Sequence, residues 1–354
     1  MEFIVLDTDF VAVHILDSFE SFIWTDRYSS FGDFELYLSP TTQNISTLQE
    51  DRYIWSAETH HTMIIENIRI TSDVDDGDKL IVTGRSLEAI LERRIIWVQT
   101  NISGNFQEAI NKLLTENVIE PSDSDRTISN FIFEASTDPT ITELTIDAQF
   151  TGDNLYDVIK HLCDLNNIGF KIVLSENNQF VFSLYSGTDR SYNQTNNPYV
   201  IFSPNFDNLI NSNYYSSKQT LKTITLVAGE GEGTSRKKVE VAIDTGAETG
   251  LNRRELYVDA RDISSNNGEI SSTEYNELLT QRGKIQLAEN TISKAFEGHV
   301  DTFHKFVFNV DFFMGDIIQI ANEYGIESTS RITEIVRAED VEGIELFPTF
   351  TTIE

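Results

Sequence analysis

The chain of 354 residues carries 26 basic and 57 acidic side chains, so its formal net charge is −31. At ~100–200 residues per domain, this length predicts two or three domains, and so acidic a surface argues against a protein that grips nucleic-acid phosphates. The single cysteine, Cys163, excludes an internal disulfide framework and a multi-cysteine metal cluster. Neither a membrane span nor a signal peptide is predicted, and we expect a soluble protein made in the cytosol.

Residues 1 to about 100 are predicted to form a first β-barrel-like domain. Apolar and polar residues alternate over 33–38 with the period of two that is typical of a half-buried strand. Asp76-Gly77 lies between the apolar runs 63–70 and 79–83. Because both residues accept a positive φ, this pattern predicts a hairpin.

Polar residues that precede apolar periodic runs predict three helices in the next part of the chain. Ser86 is the expected N-cap of a short helix. Arg93 and Arg94 fall near the C-terminal end of this helix, where cations complement the helix dipole. Ser103 and Asp153 are the expected N-caps of two further helices.

Residues 101–205 are predicted to form an inserted α/β domain. Gly169 stands where the C-terminal cap of its second helix is expected. The runs 170–174 and 180–184 flank the polar residues 176–179, which predicts a second hairpin.

Residues 206–354 are predicted to form a second β-barrel-like domain with an inserted helix at about 272–295. Ser271 and Glu274 have the spacing of a capping box, whereas Gly283 costs the helix ~1 kcal/mol relative to alanine. The order of strands, mixed α/β and strands again predicts an α+β fold, with two β-barrel-like or sandwich units around the insert.

The string Asp244-Thr-Gly246 after an apolar run is the sharpest catalytic-looking motif. Aspartic proteases place such an Asp at the end of a strand, where two copies share a proton and activate water. One copy in this chain would require a homodimer. An Asp-Thr-Gly turn after a strand is also ordinary turn chemistry, and we favour the turn.

Two further segments resemble binding motifs only in part. The loop Gly229–Gly233 is rich in glycine but lacks the Lys-Ser/Thr ending of a P-loop, and its glutamates would repel phosphates. We expect an exposed hairpin tip or a mobile loop. The basic triplet Arg236–Lys238 is too short to bind a polyanion, and we expect it to pair with acidic neighbours.

Several histidines are considered as metal ligands and rejected. Glu58, His60 and His61 lie close in sequence, but adjacent side chains of a strand point to opposite faces. His299 and His304 have no acidic or cysteine partner at a known metal spacing.

The acidic turn with Asp73, Asp75, Asp76 and Asp78 misses the calcium-loop spacing, and Cys163 is expected in the core. No serine nucleophile elbow, kinase loop or dinucleotide fingerprint occurs, although paired carboxylates of a glycosidase stay open. We therefore assign no catalytic, cofactor-binding or metal-binding residue and expect a protein that is not an enzyme.

Six segments occur in an order and spacing that resembles a known family. They are 28–36, 84–95, 250–262, 313–318, 331–335 and 346–350. Together they resemble the tail-hub proteins of siphophages that infect Gram-positive bacteria, which are similar to the baseplate hub of contractile-tailed phages. Asp33, Arg85, Gly315 and Asp316 within these segments are interpreted as structural.

This resemblance implies that each copy has two β-barrel-like domains of the tail-tube type. It also implies a homotrimeric ring that joins the tail tube to the tail tip and lines an acidic channel for DNA ejection. The implied partners are a distal tail protein and the tail tube above, and receptor-binding or fibre proteins below. The implied location is the distal tail of a virion assembled in the bacterial cytoplasm, with no cofactor. Many relatives continue into a peptidoglycan-cleaving domain or a fibre, so we expect such functions on a separate polypeptide.

Two other functions remain as alternatives. One is a hydrolase, either a homodimeric aspartic protease that uses Asp244 or an acidic glycosidase. The other is the hub of a phage-derived injection device, which would share the fold and differ in what it delivers.

Overall fold

The fold is mainly β. The computed structural model describes residues 2–59, 61–73, 77–243, 249–297, 300, 305–341 and 343–353. Its strands are β1 Phe3–Leu6, β2 Ala12–Leu16, β3 Ser21–Arg27, β4 Asp33–Leu38, β5 Tyr53–Trp55, β6 Thr62–Asp73, β7 Gly77–Ser86, β8 Thr100–Asn105, β9 Phe131–Glu134, β10 Thr145–Phe150, β11 Gly169–Leu174, β12 Phe180–Tyr185, β13 Ile201–Phe202, β14 Asn213–Ser217, β15 Ile224–Ala228, β16 Lys238–Ala242, β17 Glu255–Asp259, β18 Ser293–Glu297, β19 Ile317–Ala321, β20 Glu327–Asp340 and β21 Gly343–Thr352.

The α-helices are short except for two. They are α1 Thr42–Thr47, α2 Phe106–Leu114, α3 Pro139–Thr142, α4 Leu155–Asn166 and α5 Ser272–Ala288, and a 3₁₀ helix spans Leu87–Arg93. No helix in the described ranges is long and apolar enough to cross a bilayer.

One large sheet contains strands from both ends of the chain. Its order is β14-β18-β21-β20-β3-β4-β7-β6-β5-β1-β2, and β19 joins β20 to β13 at one side. The two ends meet where β20 pairs antiparallel with β3, in the register Glu334 opposite Arg27. Within the described residues this path does not close on itself. The fold is thus mostly β with additional helices, whereas the two β-barrel-like domains and the inserted α/β domain stay predictions.

The middle of the chain forms smaller sheets. β8 pairs with β10, β11-β12-β9 form a second sheet, and β16-β15-β17 form a third sheet that α5 covers. Buried side chains of the middle part, from Leu87 to Leu184, make one apolar cluster with Ile64 and Ile285. Separate clusters lie under the N-terminal strands, under the C-terminal strands, and between α5 and its sheet.

Several local predictions are confirmed. In β4 the expected alternation appears as every second side chain buried. β6 with β7, and β11 with β12, form the two antiparallel pairs that the turn residues indicated. The Ser271 side chain accepts a hydrogen bond from the Glu274 amide and caps α5.

Other helix ends differ from the prediction by one or two residues. α2 is capped by Asn105 instead of Ser103, and α4 is capped by Asn154 instead of Asp153. Asn167, with φ 55°, ends α4 two residues before Gly169. In each case an asparagine side chain or its tolerance of the left-handed region takes the cap.

The long helix ends earlier than predicted. α5 stops at Ala288 instead of 295, because residues 293–297 pair as β18 with β14 and β21. Gly283 has a packing role that the sequence did not indicate. A Cβ there would lie 2.7 Å from Val241 Cγ2 and 2.9 Å from Val227 Cγ2, so the glycine lets α5 approach its sheet.

We expect Gly283→Ala to destabilise the protein by about 1–2 kcal/mol, although alanine is the better helix former. The added methyl group would overpack against two stiff, buried valines. Urea unfolding followed by circular dichroism measures the change. Glu277→Ala, on an exposed position of the same helix, is the matched control. Equal or greater stability of Gly283→Ala would contradict the close packing.

Candidate functional site

Tyr28 lies at a junction where three distant parts of the chain meet. Its side chain is 3% exposed. The Tyr28 hydroxyl donates to the Asn167 carbonyl at 2.9 Å and accepts from Arg331 Nη1 at 3.3 Å. The Tyr185 hydroxyl donates back to the Tyr28 carbonyl at 3.2 Å, and the two rings meet edge to face with centroids 5.2 Å apart. One tyrosine thus connects the turn after β3 with α4, β12 and β20.

Two glycines let the backbone approach this ring. A Cβ at Gly169 would lie 2.5 Å from Tyr28 Cε2, and one at Gly315 would lie 2.3 Å from the same atom. Gly315 also has φ 88°, which side-chain-bearing residues rarely adopt. Its carbonyl accepts from Arg331 Nη1 at 2.7 Å. The junction therefore requires glycine at both positions.

Asp316 anchors the segment that follows. Its carboxylate accepts from the amides of Thr188 at 2.7 Å and Phe313 at 3.0 Å, and from Arg190 Nε at 2.7 Å. The Asp316 side chain is 2% exposed and that of Arg190 is 14% exposed. Because the buried Asp316 carboxylate has several hydrogen-bond partners, its burial is compensated. It connects the start of β19 to residues 188–190, which follow β12.

Arg85 performs a similar role at the other side of the junction. It binds Glu66 through two bonds of 2.7 and 2.8 Å and Glu92 through one of 2.6 Å. Its guanidinium lies 4.7 Å from the Phe31 ring centroid. The hydrogen bonds that Arg85 donates to Glu66 above all, and then those to Glu92, hold the pKa of Arg85 above its usual range.

Glu88 is a buried carboxyl group in the 3₁₀ helix. It accepts the Ile172 amide of β11 at 2.7 Å and the Ser86 hydroxyl. The same Ser86 oxygen accepts the Gly32 amide at 2.7 Å, so Ser86 joins strands instead of capping its helix as predicted. Burial raises the pKa of Glu88. The network connects the N-terminal sheet to the middle of the chain.

The role of these contacts is to hold distant segments of the chain together. Most of the described polar groups at the junction take part in ion pairs and hydrogen bonds that hold chain segments together, although Arg331 Nε is buried without a hydrogen-bond partner among the described residues. Four segments of the predicted family signature, 28–36, 84–95, 313–318 and 331–335, supply most of them. Asp33, for instance, pairs with Arg27, and Arg27 Nε binds Glu334 at 2.7 Å. Asp33, Arg85, Gly315 and Asp316 therefore occupy structural positions.

Several residues weighed for chemistry lie outside the described residues. They are His60, Asp75, Asp76, Asp244, Thr245, Gly246, His299 and His304. The protease interpretation of Asp244 is therefore untested by the structure.

The other candidates have structural surroundings. Glu58 binds Arg337 at 3.2 Å, and His61 Nδ1 lies 4.0 Å from Asp26 Oδ1. Among the described residues no three His, Cys, Asp or Glu side chains are grouped as metal ligands. Cys163 is buried in α4, and burial raises the pKa of its thiol.

The glycine-rich loop and the basic triplet match their predicted roles. The loop that begins at Gly229 connects β15 to the antiparallel β16 and is exposed from Gly231 onward. Arg236 forms an ion pair with Asp259 of β17, as expected for a cation among acidic neighbours.

Sequence reasoning missed the partners of Tyr28. The sequence predicts Gly169 as a helix cap and assigns no role to Tyr185, whose hydroxyl bonds the Tyr28 carbonyl. The available signal was the glycines within apolar or strand-like surroundings, since such glycines often mark close backbone approach. Which ring they approach depends on contacts between residues more than one hundred positions apart.

Comparison with known proteins gives a family and a fold. A family model described as Siphovirus ReqiPepy6 Gp37-like protein matches residues 2–350. A search of curated proteins returned no match.

Three solved structures are similar over nearly their whole length. The prophage MuSo2 43 kDa tail protein from Shewanella oneidensis has a TM-score of 0.59 at 12% identity, covering 100% of this chain and 98% of that one. A tail protein from Neisseria meningitidis MC58 has a TM-score of 0.56 at 13% identity, and the match covers 99% of this chain and 96% of that one. Prophage tail protein gp18 from Listeria monocytogenes EGD-e has a TM-score of 0.55 at 14% identity, and the match covers 99% of this chain and 94% of that one. This chain therefore has the fold of these tail proteins.

We expect Gly315→Ala to cost about 2 kcal/mol more stability than Gly325→Ala. Both glycines have positive φ, at 88° and 77°, so both alanines bear similar backbone strain. Only at Gly315 does the new Cβ strike the Tyr28 ring, because Gly325 has nothing within 4 Å. Urea midpoints of the two variants give the difference. Equal losses would show that Tyr28 yields easily and that the junction is loosely packed.

Asp316→Asn is expected to destabilise the protein by about 3 kcal/mol, because it leaves the Arg190 charge without its buried partner. The matched control is Glu240→Gln, which breaks an exposed pair with Arg253 and should change stability far less. Thermal unfolding of both variants tests this. A small loss for Asp316→Asn would mean that the two amide donors alone hold the segment.

Proposed function

This chain belongs to the family of Siphovirus ReqiPepy6 Gp37-like proteins, and we propose that it is the hub of a phage tail tip. The predicted membership of a siphophage tail-protein family is confirmed by the family match over residues 2–350. In the proposal, copies of the chain form a homotrimeric ring that joins the tail tube to the tip.

The observation that carries the proposal is the extent of the structural likeness. The likeness covers 94–98% of the three tail proteins and 99–100% of this chain. A fold alone does not imply a function. The family match supplies the second, independent support for a role in the tail.

The charge supports the channel in this proposal. Three copies with a net charge of −31 each would surround the tail axis with acidic surface. A wall with the sign of DNA repels the passing polyanion and prevents it from adhering. The ring would then let the genome leave without binding it.

The mechanism we propose is assembly and gating, with no bond made or broken. The junction around Tyr28 supports this, since it makes the two ends of the chain and the middle one connected unit. In the proposal, residues 1–100 and 206–354 act as the two tube-type domains and 101–205 as the insert. The distal tail protein and tail tube bind above, and receptor-binding or fibre proteins bind below. Assembly occurs in the bacterial cytoplasm, and the product is part of the virion.

The native mass in solution tests the ring. We expect multi-angle light scattering near neutral pH and moderate salt to give about three times 40.2 kDa, and negative-stain images to show rings with a central opening. A monomer or a dimer would contradict the trimeric ring. A dimer would also justify a proteolysis assay in which Asp244→Asn abolishes cleavage.

A further inference from the structure

An apolar surface lies between the 3₁₀ helix and β8. Ile95, Trp97 and Val98 are 40%, 64% and 62% exposed, whereas Ile96 between them is fully buried. Exposed tryptophan next to exposed aliphatic side chains is typical of protein–protein contacts. The buried Ile96 holds this segment in place, so its neighbours are presented on a supported backbone.

Arg126 lies directly beside Trp97. Its guanidinium carbon is 5.3 Å from the Trp97 ring centroid. Arg126 Nη2 donates to the Ile95 carbonyl at 2.7 Å and to Asn117 Oδ1 at 3.3 Å. These acceptors are neutral, so they orient the guanidinium without compensating its charge.

Arg94 is a second arginine whose described hydrogen bonds go to neutral oxygens. Its Nε donates to the Arg126 carbonyl and its Nη1 to the Arg93 carbonyl, both at 2.9 Å. Burial, and then the positive charges of Arg126 and Arg93, lower the pKa of Arg94. Within the described residues neither Arg94 nor Arg126 forms an ion pair with a carboxylate, whereas Arg93 reaches Asp51 at 3.4 Å.

Two adjacent arginines that bond only neutral oxygens in the described part of the chain stand out in a sequence with 57 acidic residues. A partner that covers Arg94 and Arg126 must bring negative charge, because burying a cation without compensation is costly. The same partner must cover Trp97 with apolar side chains. The structure therefore specifies an occupant that is acidic and partly apolar.

We propose that the Trp97 surface, made of Arg94, Ile95, Trp97, Val98 and Arg126, binds an acidic surface of the next copy of this chain. The inference rests on the proposed ring. A twofold contact centred on this surface would bring the arginines of the two copies close together. A head-to-tail contact between different surfaces avoids this repulsion, and such contacts close rings when the rotation permits.

A cleft beside Val98 gives the contact a direction. It has a volume of about 330 Å³, and Glu116, Glu120 and Arg126 line it. The two glutamates disfavour a partner carboxylate within the cleft. Acidic groups of the neighbouring copy are thereby directed toward Arg94, which orients the incoming subunit.

Sedimentation of substituted proteins tests the contact. W97A, and separately R94E combined with R126E, should each weaken self-association at least tenfold, since tryptophan and arginine dominate many interfaces. Y324A and R69E are the matched controls, because Tyr324 is 82% exposed and Arg69 is also exposed. Circular dichroism establishes that each variant is folded.

Cross-linking keeps the test decisive if the double charge reversal fails to fold. In R94K, a zero-length carbodiimide reagent can join the new amine to a carboxylate. A mixture of ¹⁴N- and ¹⁵N-labelled copies then distinguishes links between copies from links within one copy. The expected result is a mixed-isotope link from position 94 to an Asp or Glu.

The outcomes separate the two proposals. If the parent forms trimers and both W97A and R94E/R126E do as well, the Trp97 contact is overturned and the proposed function stands. Links from position 94 that are confined to one copy would overturn the contact in the same way. A parent that stays monomeric at all concentrations overturns both the contact and the ring.

Discussion

The packing of Tyr28 against two glycine backbones is the constraint on which the remaining structure depends. A methyl group at Gly169 or Gly315 would come within 2.5 Å or less of the ring. The backbone itself therefore forms the walls of the tyrosine pocket, and only this closeness lets the hydroxyl reach Asn167 and Arg331. The segments joined in this way are far apart in sequence, so one side chain positions the N-terminal sheet, the middle of the chain and the C-terminal strands.

Sheet pairing and buried charge extend this constraint. β20 pairs with β3 and thereby makes one sheet from the two ends of the chain. The buried pair of Asp316 and Arg190 holds the segment before β19 against the residues that follow β12. The β20–β3 pairing is an unbroken ladder of backbone hydrogen bonds, and the buried ion pair is costly to break. Both therefore resist movement of the two ends and the middle of the chain relative to one another. A chain whose regions are held together in this way suits the proposed role of joining the tail tube to the tail tip.

The high negative net charge opposes the association of several copies of this chain. Copies with a net charge of −31 repel one another, and the proposed acidic channel would add to the repulsion. A local region of opposite sign lowers this cost at the place where subunits meet. Arg94 and Arg126, whose described bonds go to neutral oxygen atoms, provide such a region beside Trp97. The same acidic composition could in this way serve DNA passage and subunit recognition.

The sequence by itself determined the local structure: the alternation in β4, the hairpin of β11 and β12, the cap at Ser271, and the family. These depend on neighbours a few residues apart, which a local pattern contains. The predicted N-caps of α2 and α4 differ from the observed ones by one or two residues, because nearby asparagines take the cap positions. The predicted end of α5 lies several residues beyond Ala288, because the residues that follow pair as β18. Gly283, which local propensity marks as a weakness, allows the helix to reach its sheet. The Tyr28 junction depends on a contact between residues 139 positions apart, and the setting of Arg94 and Arg126 depends on contacts 32 and 31 positions apart. Only the tertiary structure decided both, because such contacts depend on how the chain returns on itself.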